Sequence, residues 1–181
     1  THNGPKQLLQ IANKPMSQYA LEDLKNAGIT EIAIIVGDVY PEKVLDYYGD
    51  GKNFGVKITY IHQDKPKGIA HAIKLCQDFI GNEKFVVYLG DNVLRKDLVD
   101  YTQRFESSNS DAMILLCKVN NPSSFGIATI VDKKILKIVE KPKDNLSDMA
   151  VIGIYFLTPI IFDIIDTLKP SWRNELEIAD A

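Results

Sequence analysis

The chain has 181 residues, 45% of them hydrophobic and 25% charged, which suits one ordinary soluble domain with a sizeable core. A net charge of −3 supplies no basic surface for a nucleic-acid polymer, although a few placed lysines and backbone amides suffice for small phosphorylated ligands. No apolar run reaches the length of a membrane span and no signal peptide is visible, so no membrane partner is expected.

Residues 15–27 place Met16, Tyr19, Ala20 and Leu24 at helical spacing, with Gly28 as the stop. Residues 31–36, Glu-Ile-Ala-Ile-Ile-Val, read as a short buried strand ending at Gly37. A helix restarts over 41–48 with Pro41 in its first turn, and Gly49-Asp50-Gly51 breaks it. Residues 56–61 alternate like a strand, and 69–79 form an amphipathic helix. Residues 85–89 are bulky and mostly apolar, as in a central strand buried on both faces, and 93–106 are helical. This alternation predicts a mostly parallel sheet flanked by helices.

After Ser107 the rhythm changes. Residues 112–119, 126–131, 135–140 and 149–157 are strand candidates with little room for helices between them. Asp132-Lys133-Lys134 reads as a hairpin turn, and 160–168 return to helix. The second half is therefore a mixed β extension of the same α/β domain, which spans 1–181. No G-x-G-x-x-G follows a strand, so a dehydrogenase-type cofactor fold is not supported. Cys76 and Cys117 lie in apolar segments without metal-ligand spacing and read as small buried hydrophobes in a reducing cytoplasm. The chain opens on Thr1 in loop-like chemistry, and 174–181 look like an unfinished helix, so it reads as a piece of a longer protein cut at both ends.

Five places can carry chemistry. Gly90-Asp91-Asn92 ends the strand at 85–89, where ligands of open α/β sheets bind. Asp91 there either caps a helix or opens a turn, or it holds a divalent cation through its hard oxygens. Lys6 precedes an apolar segment, so its stem can pack while the ammonium meets a phosphate, or it is a solvated surface lysine. Gln63 to Gly68 joins a strand to a helix. The glutamine amide matches a nucleobase edge and the glycine admits a flat ligand, unless this is an ordinary loop.

Glu140-Lys141-Pro142 ends a strand, with Pro142 expected to hold Lys141 extended. The carboxylate suits sugar hydroxyls and the ammonium a phosphate, or the two form a surface ion pair. Phe125-Gly126 opens a strand and could equally serve packing. His2, His62 and His71 share no ligand spacing and are expected to be non-catalytic.

The ordered set Pro5-Lys6-Gln7-Leu8-Leu9, Lys14-Pro15-Met16, Ala27-Gly28-Ile29, Gln63…Gly68…Ala70, Leu89-Gly90-Asp91-Asn92, Phe125-Gly126, Glu140-Lys141-Pro142, Val151…Gly153-Ile154-Tyr155 and Glu175-Leu176-Glu177-Ile178 resembles the sugar-1-phosphate nucleotidyltransferases. It is most similar to the branch that transfers a thymidylyl group to glucose 1-phosphate, over essentially the whole length. The resemblance implies the Rossmann-like nucleotide-diphospho-sugar transferase fold and a reaction of dTTP with glucose 1-phosphate to give dTDP-glucose and pyrophosphate. It also implies Lys6 on the nucleotide phosphates with Gln7 beside it, Gln63 and Gly68 at the thymine, and Asp91 holding Mg2+. Asn92, Phe125, Gly126, Glu140 and Val151 would line the sugar pocket, with Lys141 on the sugar phosphate. The catalytic set is then Lys6, Asp91 and Lys141, in a cytoplasmic enzyme that forms homo-oligomers at full length.

There are departures from the family pattern. The family carries, ahead of the position of Thr1, a first strand and a glycine-rich loop with a triphosphate-binding arginine. A second metal-binding aspartate and a sugar-contacting segment are expected beyond Ala181. Phe125 stands where tyrosine is common, Asn174 where glycine is usual and Ala179 where threonine is usual. The full-length parent is thus expected to be the enzyme, and this piece alone to be inactive. The alternatives are a uridylyltransferase using UTP with glucose or N-acetylglucosamine 1-phosphate, and a non-catalytic regulatory subunit that binds sugar nucleotide.

Overall fold

A computed structural model describes residues 5–144 and 147–181; His2 and the loop-like opening at 1–4 lie outside the described residues. A 3-10 turn at Lys6–Leu8 leads into a minimal hairpin of β1 (Gln10–Ile11) and β2 (Lys14–Pro15). Its two turn residues, Ala12 and Asn13, both have positive φ, the geometry that matches the twist of paired strands. Helix α1 (Met16–Asn26) buries Ala20, Leu21 and Leu24. It ends as the sequence predicts: Gly28, at φ 86°, donates to the Lys25 carbonyl and Ile29 donates to that of Leu24, the paired bonds of a Schellman motif.

Strand β3 (Glu31–Val36), helix α2 (Pro41–Tyr48) and strand β4 (Lys57–His62) follow, with β3 and β4 parallel and Ile32 opposite Ile58. The helix predicted at 69–79 is two pieces, α3 (Ile69–Lys74) and α4 (Gln77–Ile80). Cys76 donates to Ile73, a tight three-residue bond that turns the axis. The next segment is β5 (Phe85–Tyr88). The helix after it, α5 (Val99–Glu106), starts later than expected because Asp97 accepts from the Val99 amide in a local turn.

The second half is β6 (Ala112–Lys118), β7 (Gly126–Val131), β8 (Lys134–Glu140), β9 (Met149–Leu157) and α6 (Ile160–Thr167). Asp132 and Lys133, both at positive φ, close the β7–β8 hairpin where a turn is predicted. The central strand is β9 rather than β5, because β9 pairs antiparallel with β5, β6 and β7. Its alternate residues enter two cores. Ile154 and Phe156 join Leu21, Leu24, Leu98 and Phe105, whereas Tyr155 and Leu157 join Ile73, Phe162 and Ile165.

The parallel part of the sheet is smaller than the alternation predicts. Among the described residues β3 pairs with β4 alone and β5 with β9 alone. A cavity of about 1120 Å³ opens between β3 and β5 and is covered by residues of α1, α2, α3 and α5. The residues of β5 are consequently half-buried, not sealed on both faces. Two further expectations are corrected. Cys76 is buried but Cys117 is exposed, on a strand that among the described residues pairs with β9 alone. The stretch at 174–181 is a loop with one 3-10 turn, Ile178–Asp180, because the Leu176 amide and carbonyl are committed to Lys67 and Ala70. No helix among the described residues is long and apolar enough to cross a membrane.

Candidate active site

Two turns bring the first pair together. Pro5 starts the 3-10 turn in an extended conformation, and the Leu8 and Leu9 amides donate back to Pro5 and Lys6. At the carboxyl end of β5 the Leu89 amide donates to Gly153 and the Asn92 amide to Leu89, which closes a tight turn with Asp91 at its tip. Lys6 Nζ lies 2.6 Å from Asp91 Oδ2. No helix begins at Asp91, so it opens a turn and meets a lysine; it is not a helix cap. Lys6, Gln7, Gly90 and Gln63 line the cavity between β3 and β5.

Gln63 extends β4, its amide donating to the Val36 carbonyl at 2.8 Å. Its side-chain nitrogen is 2.8 Å from His71 Nδ1 and 3.4 Å from the Gly68 carbonyl, which it donates to. Gly68 has φ 98°, and a Cβ there would sit 2.4 Å from the Leu176 carbonyl oxygen. Leu176 in turn donates to Lys67 and accepts from Ala70, clamping the loop. The sequence predicts a flat ligand against Gly68; within the described chain the neighbour that the glycine admits is the backbone of Leu176.

A second group forms along β7, β8 and β9. Gly126 stands opposite Glu140, and a Cβ on it would lie 3.0 Å from Glu140 Oε2 and 3.9 Å from Val151 Cβ. Phe125 is 42% exposed, and its carbonyl accepts from the Lys141 amide at 3.0 Å. Lys141 is not extended: its φ is 44°, in the left-handed region. That bond to Phe125 prolongs the hairpin by one residue while Pro142 is buried, so the chain must bend at Lys141. A lysine at such a φ carries backbone strain of about 1–3 kcal/mol, which surrounding structure must over-determine. Its Nζ is 4.0 Å from Glu140 Oε1, a loose pair with both groups largely solvated.

The floor between the two groups is β9. Val151 and Tyr155 pack in the same core, and Gly153 between them, at φ 71° where the pairing with β6 shifts register, leaves room where a Cβ would fall 2.8 Å from Asn92 Nδ2. Burial, and secondarily the Glu140 charge, push the Tyr155 hydroxyl up to about 12. Reasoning from residue types passed over Ser17 and Tyr48, set His71 aside as non-catalytic although it meets the Gln63 side chain, and reached Leu176 only within the Glu175–Ile178 run of the family resemblance.

A family model described as nucleotidyl transferase matches residues 1–181, and the chain belongs to that family. It is 50% identical to a low-salt glycan biosynthesis nucleotidyltransferase of Haloferax volcanii, and 42% identical to a glucose-1-phosphate thymidylyltransferase of Streptomyces griseus. Each match covers 100% of this chain and 51% of the relative, so the chain spans about half the length of these curated relatives. A structure from Bacillus anthracis, assigned as a glucose-1-phosphate thymidylyltransferase and solved with sucrose, superposes with a TM-score of 0.92 at 44% identity, covering 98% of this chain and 72% of that one. A UDP-glucose pyrophosphorylase bound to UDP-glucose gives 0.84 at 31%, covering 97% and 76%. The fold is thus that of the nucleotide-diphospho-sugar transferases, with parallel and antiparallel strands together.

Proposed function

We propose that this chain is the substrate-binding part of an enzyme that joins dTTP and glucose 1-phosphate into dTDP-glucose and pyrophosphate. The observation that carries the reading is the Lys6–Asp91 pair at the carboxyl end of β5, beside a cavity that Gln63 also lines. The likeness to the Streptomyces griseus thymidylyltransferase supports dTTP and glucose 1-phosphate as the substrates.

In the reaction a phosphate oxygen of the sugar phosphate bonds to the nucleotide α-phosphorus. The bond from that phosphorus to the bridging oxygen breaks, and pyrophosphate leaves. Little covalent work falls to the protein, so positioning and charge neutralisation carry the rate. Lys6 neutralises the nucleotide phosphates next to Gln7, and Gln63 with Gly68 meets the thymine. Glu140 accepts from sugar hydroxyls, Asn92, Phe125, Gly126 and Val151 shape the pocket, and Lys141 holds the sugar phosphate.

The residues fit Mg2+ as a shared ligand set, not as a closed protein cage. Among the described residues no group of three or more His, Cys, Asp or Glu side chains could hold a metal. Asp91 is a partly exposed carboxylate, the donor type magnesium uses alongside substrate phosphates. When bound, the ion supplies charge neutralisation and alignment of phosphate oxygens. Swinging Lys6 from Asp91 onto a phosphate frees the carboxylate for that role.

The cavity between β3 and β5 supports a further part of the reading: a strand of the full-length parent lies there, with its phosphate-binding loop beside Lys6. Among the described residues β3 and β5 each leave a ladder edge unpaired, and with helices on both faces this is the setting such a strand needs. Residues 1–181 alone should then show no turnover. Two free cysteines are in keeping with a cytoplasmic location, and the parent is proposed to be a homo-oligomer.

The test is pyrophosphate release by the full-length parent with dTTP and UTP each crossed against glucose and N-acetylglucosamine 1-phosphates. Fastest release from dTTP with glucose 1-phosphate is expected. Preference for UTP would move the chain to the uridylyl branch, and tight binding without release would make it a regulatory subunit.

A further inference from the structure

We infer that Ser17 and Tyr48 are positioning residues that set the separation of Lys6 and Asp91. Ser17 lies in the first turn of α1, and its Oγ donates to the Gln7 carbonyl at 2.9 Å. The same Oγ is 2.6 Å from the Tyr48 hydroxyl. A serine has one hydroxyl hydrogen, and a carbonyl can only accept. That hydrogen is therefore committed to Gln7, and Tyr48 is the donor of the second bond. The relay runs from the Tyr48 hydroxyl to Ser17 Oγ to the carbonyl of Gln7, next in the chain to Lys6.

The other side of Ser17 touches the second turn. A Cβ on Gly90 would fall 3.3 Å from Ser17 Cβ and 3.7 Å from Gln7 Cγ, so the glycine before Asp91 packs directly on both. One small side chain is thus wedged between the turn that carries Lys6 and the turn that carries Asp91. Tyr48 anchors it from α2. It is 4% exposed, edge-on to Tyr47 at 4.9 Å, and 5.3 Å from the Phe54 ring. Burial pushes its hydroxyl up to about 12, so it stays a donor across the working pH range. A second bond, from the Tyr47 hydroxyl to Gln18 Oε1 at 2.6 Å, ties α2 to the same turn of α1.

The inference rests on the proposed reaction only for its effect on rate. The test uses the full-length parent as wild type, Ser17→Ala, Tyr48→Phe and the double variant. Two quantities are read: pyrophosphate-release kinetics, and acetylation of Lys6 by acetic anhydride relative to the exposed Lys52 of the same molecule. Losing the hydroxyl of Ser17 should lower kcat about tenfold, the scale of one hydrogen bond, with little change in the KM for glucose 1-phosphate. Tyr48→Phe should act in the same direction, and the double variant should be no worse than Ser17→Ala, as expected of one relay.

Lys6 labelling relative to Lys52 should rise in every variant as the lysine loses its fixed partner. Unchanged labelling with additive or absent kinetic effects overturns the inference. A parent without pyrophosphate release would sink the proposed reaction, yet Lys6 labelling would still decide the positioning role. If Ser17→Ala does not fold, Tyr48→Phe, which removes one buried hydroxyl, decides it by the same two readouts.

Discussion

Lys6 Nζ and Asp91 Oδ2 stand 2.6 Å apart at the meeting of two turns distant in sequence, with the side chains 66% and 36% exposed. An ion pair so open to water contributes about 0–1 kcal/mol to stability. The fold gains little from it, which leaves both groups free to be redirected when a phosphate arrives. Replacing Lys6 with Met should therefore leave the melting temperature nearly unchanged. Nucleotide binding should weaken by about 1.5–3 kcal/mol, the range for a lost bond to a charged group. Calorimetric titration of the full-length parent with dTTP checks this, and unaltered affinity would return Lys6 to the solvated surface.

Glu140→Gln separates the two ligands. Glucose 1-phosphate binding should weaken by about 1–3 kcal/mol while dTTP affinity holds, because only the sugar hydroxyls are proposed to meet that carboxylate. Equal loss for both ligands would argue against a dedicated sugar role.

Gly68→Ala tests the clamp. The new Cβ would fall 2.4 Å from the Leu176 carbonyl oxygen on a backbone at φ 98°, so either the loop or the 171–177 segment must move. We expect a loss of about 1–3 kcal/mol in stability and raised KM for dTTP. Full thermal stability with unchanged nucleotide KM would show the close approach to be dispensable.

Asp23 gives a pH-dependent prediction. Burial raises its carboxyl above the ordinary value of 3.8, against the opposing effect of the bond that the Tyr88 hydroxyl donates to it at 2.9 Å. A raised folded value means that the protonated form favours the fold. That contribution is complete below the unfolded value and is lost as pH rises through the folded one. Ionised Asp23 therefore burdens the fold at neutral pH. Asp23→Asn keeps an acceptor for Tyr88 and should melt higher than wild type at pH 7, with the gain vanishing below about pH 3.8. A gain that does not depend on pH would contradict the burial argument.

Local chemistry made several elements legible. The spans of β3, α2, β7 and β9 coincide with those read from hydrophobic runs and Gly or Pro punctuation. Gly28 and the Asp132–Lys133 turn act as their residue types require. Hidden features depend on partners distant in the chain. The central place of β9 comes from its three neighbours, and the loop at 174–181 from Leu176 spending its backbone groups on Lys67 and Ala70. Lys141 follows the same logic: the Phe125 carbonyl holds its amide on one side and the burial of Pro142 fixes the chain on the other, so the backbone bends between them at a left-handed φ instead of running on extended. At the site, the residue types pointed to Lys6, Asp91, Glu140 and Gln63. The serine and tyrosine that brace the first two carried no local pattern.

The most direct measurement is single-turnover pyrophosphate release by the full-length parent carrying Asp91→Asn, with dTTP, glucose 1-phosphate and Mg2+ saturating. The predicted result is a fall of at least about 10²–10³-fold, the scale of removing one group aimed at transition-state charge, with the fold retained by circular dichroism. Release at near wild-type rate would contradict it, leaving Asp91 as a turn residue that happens to meet a lysine.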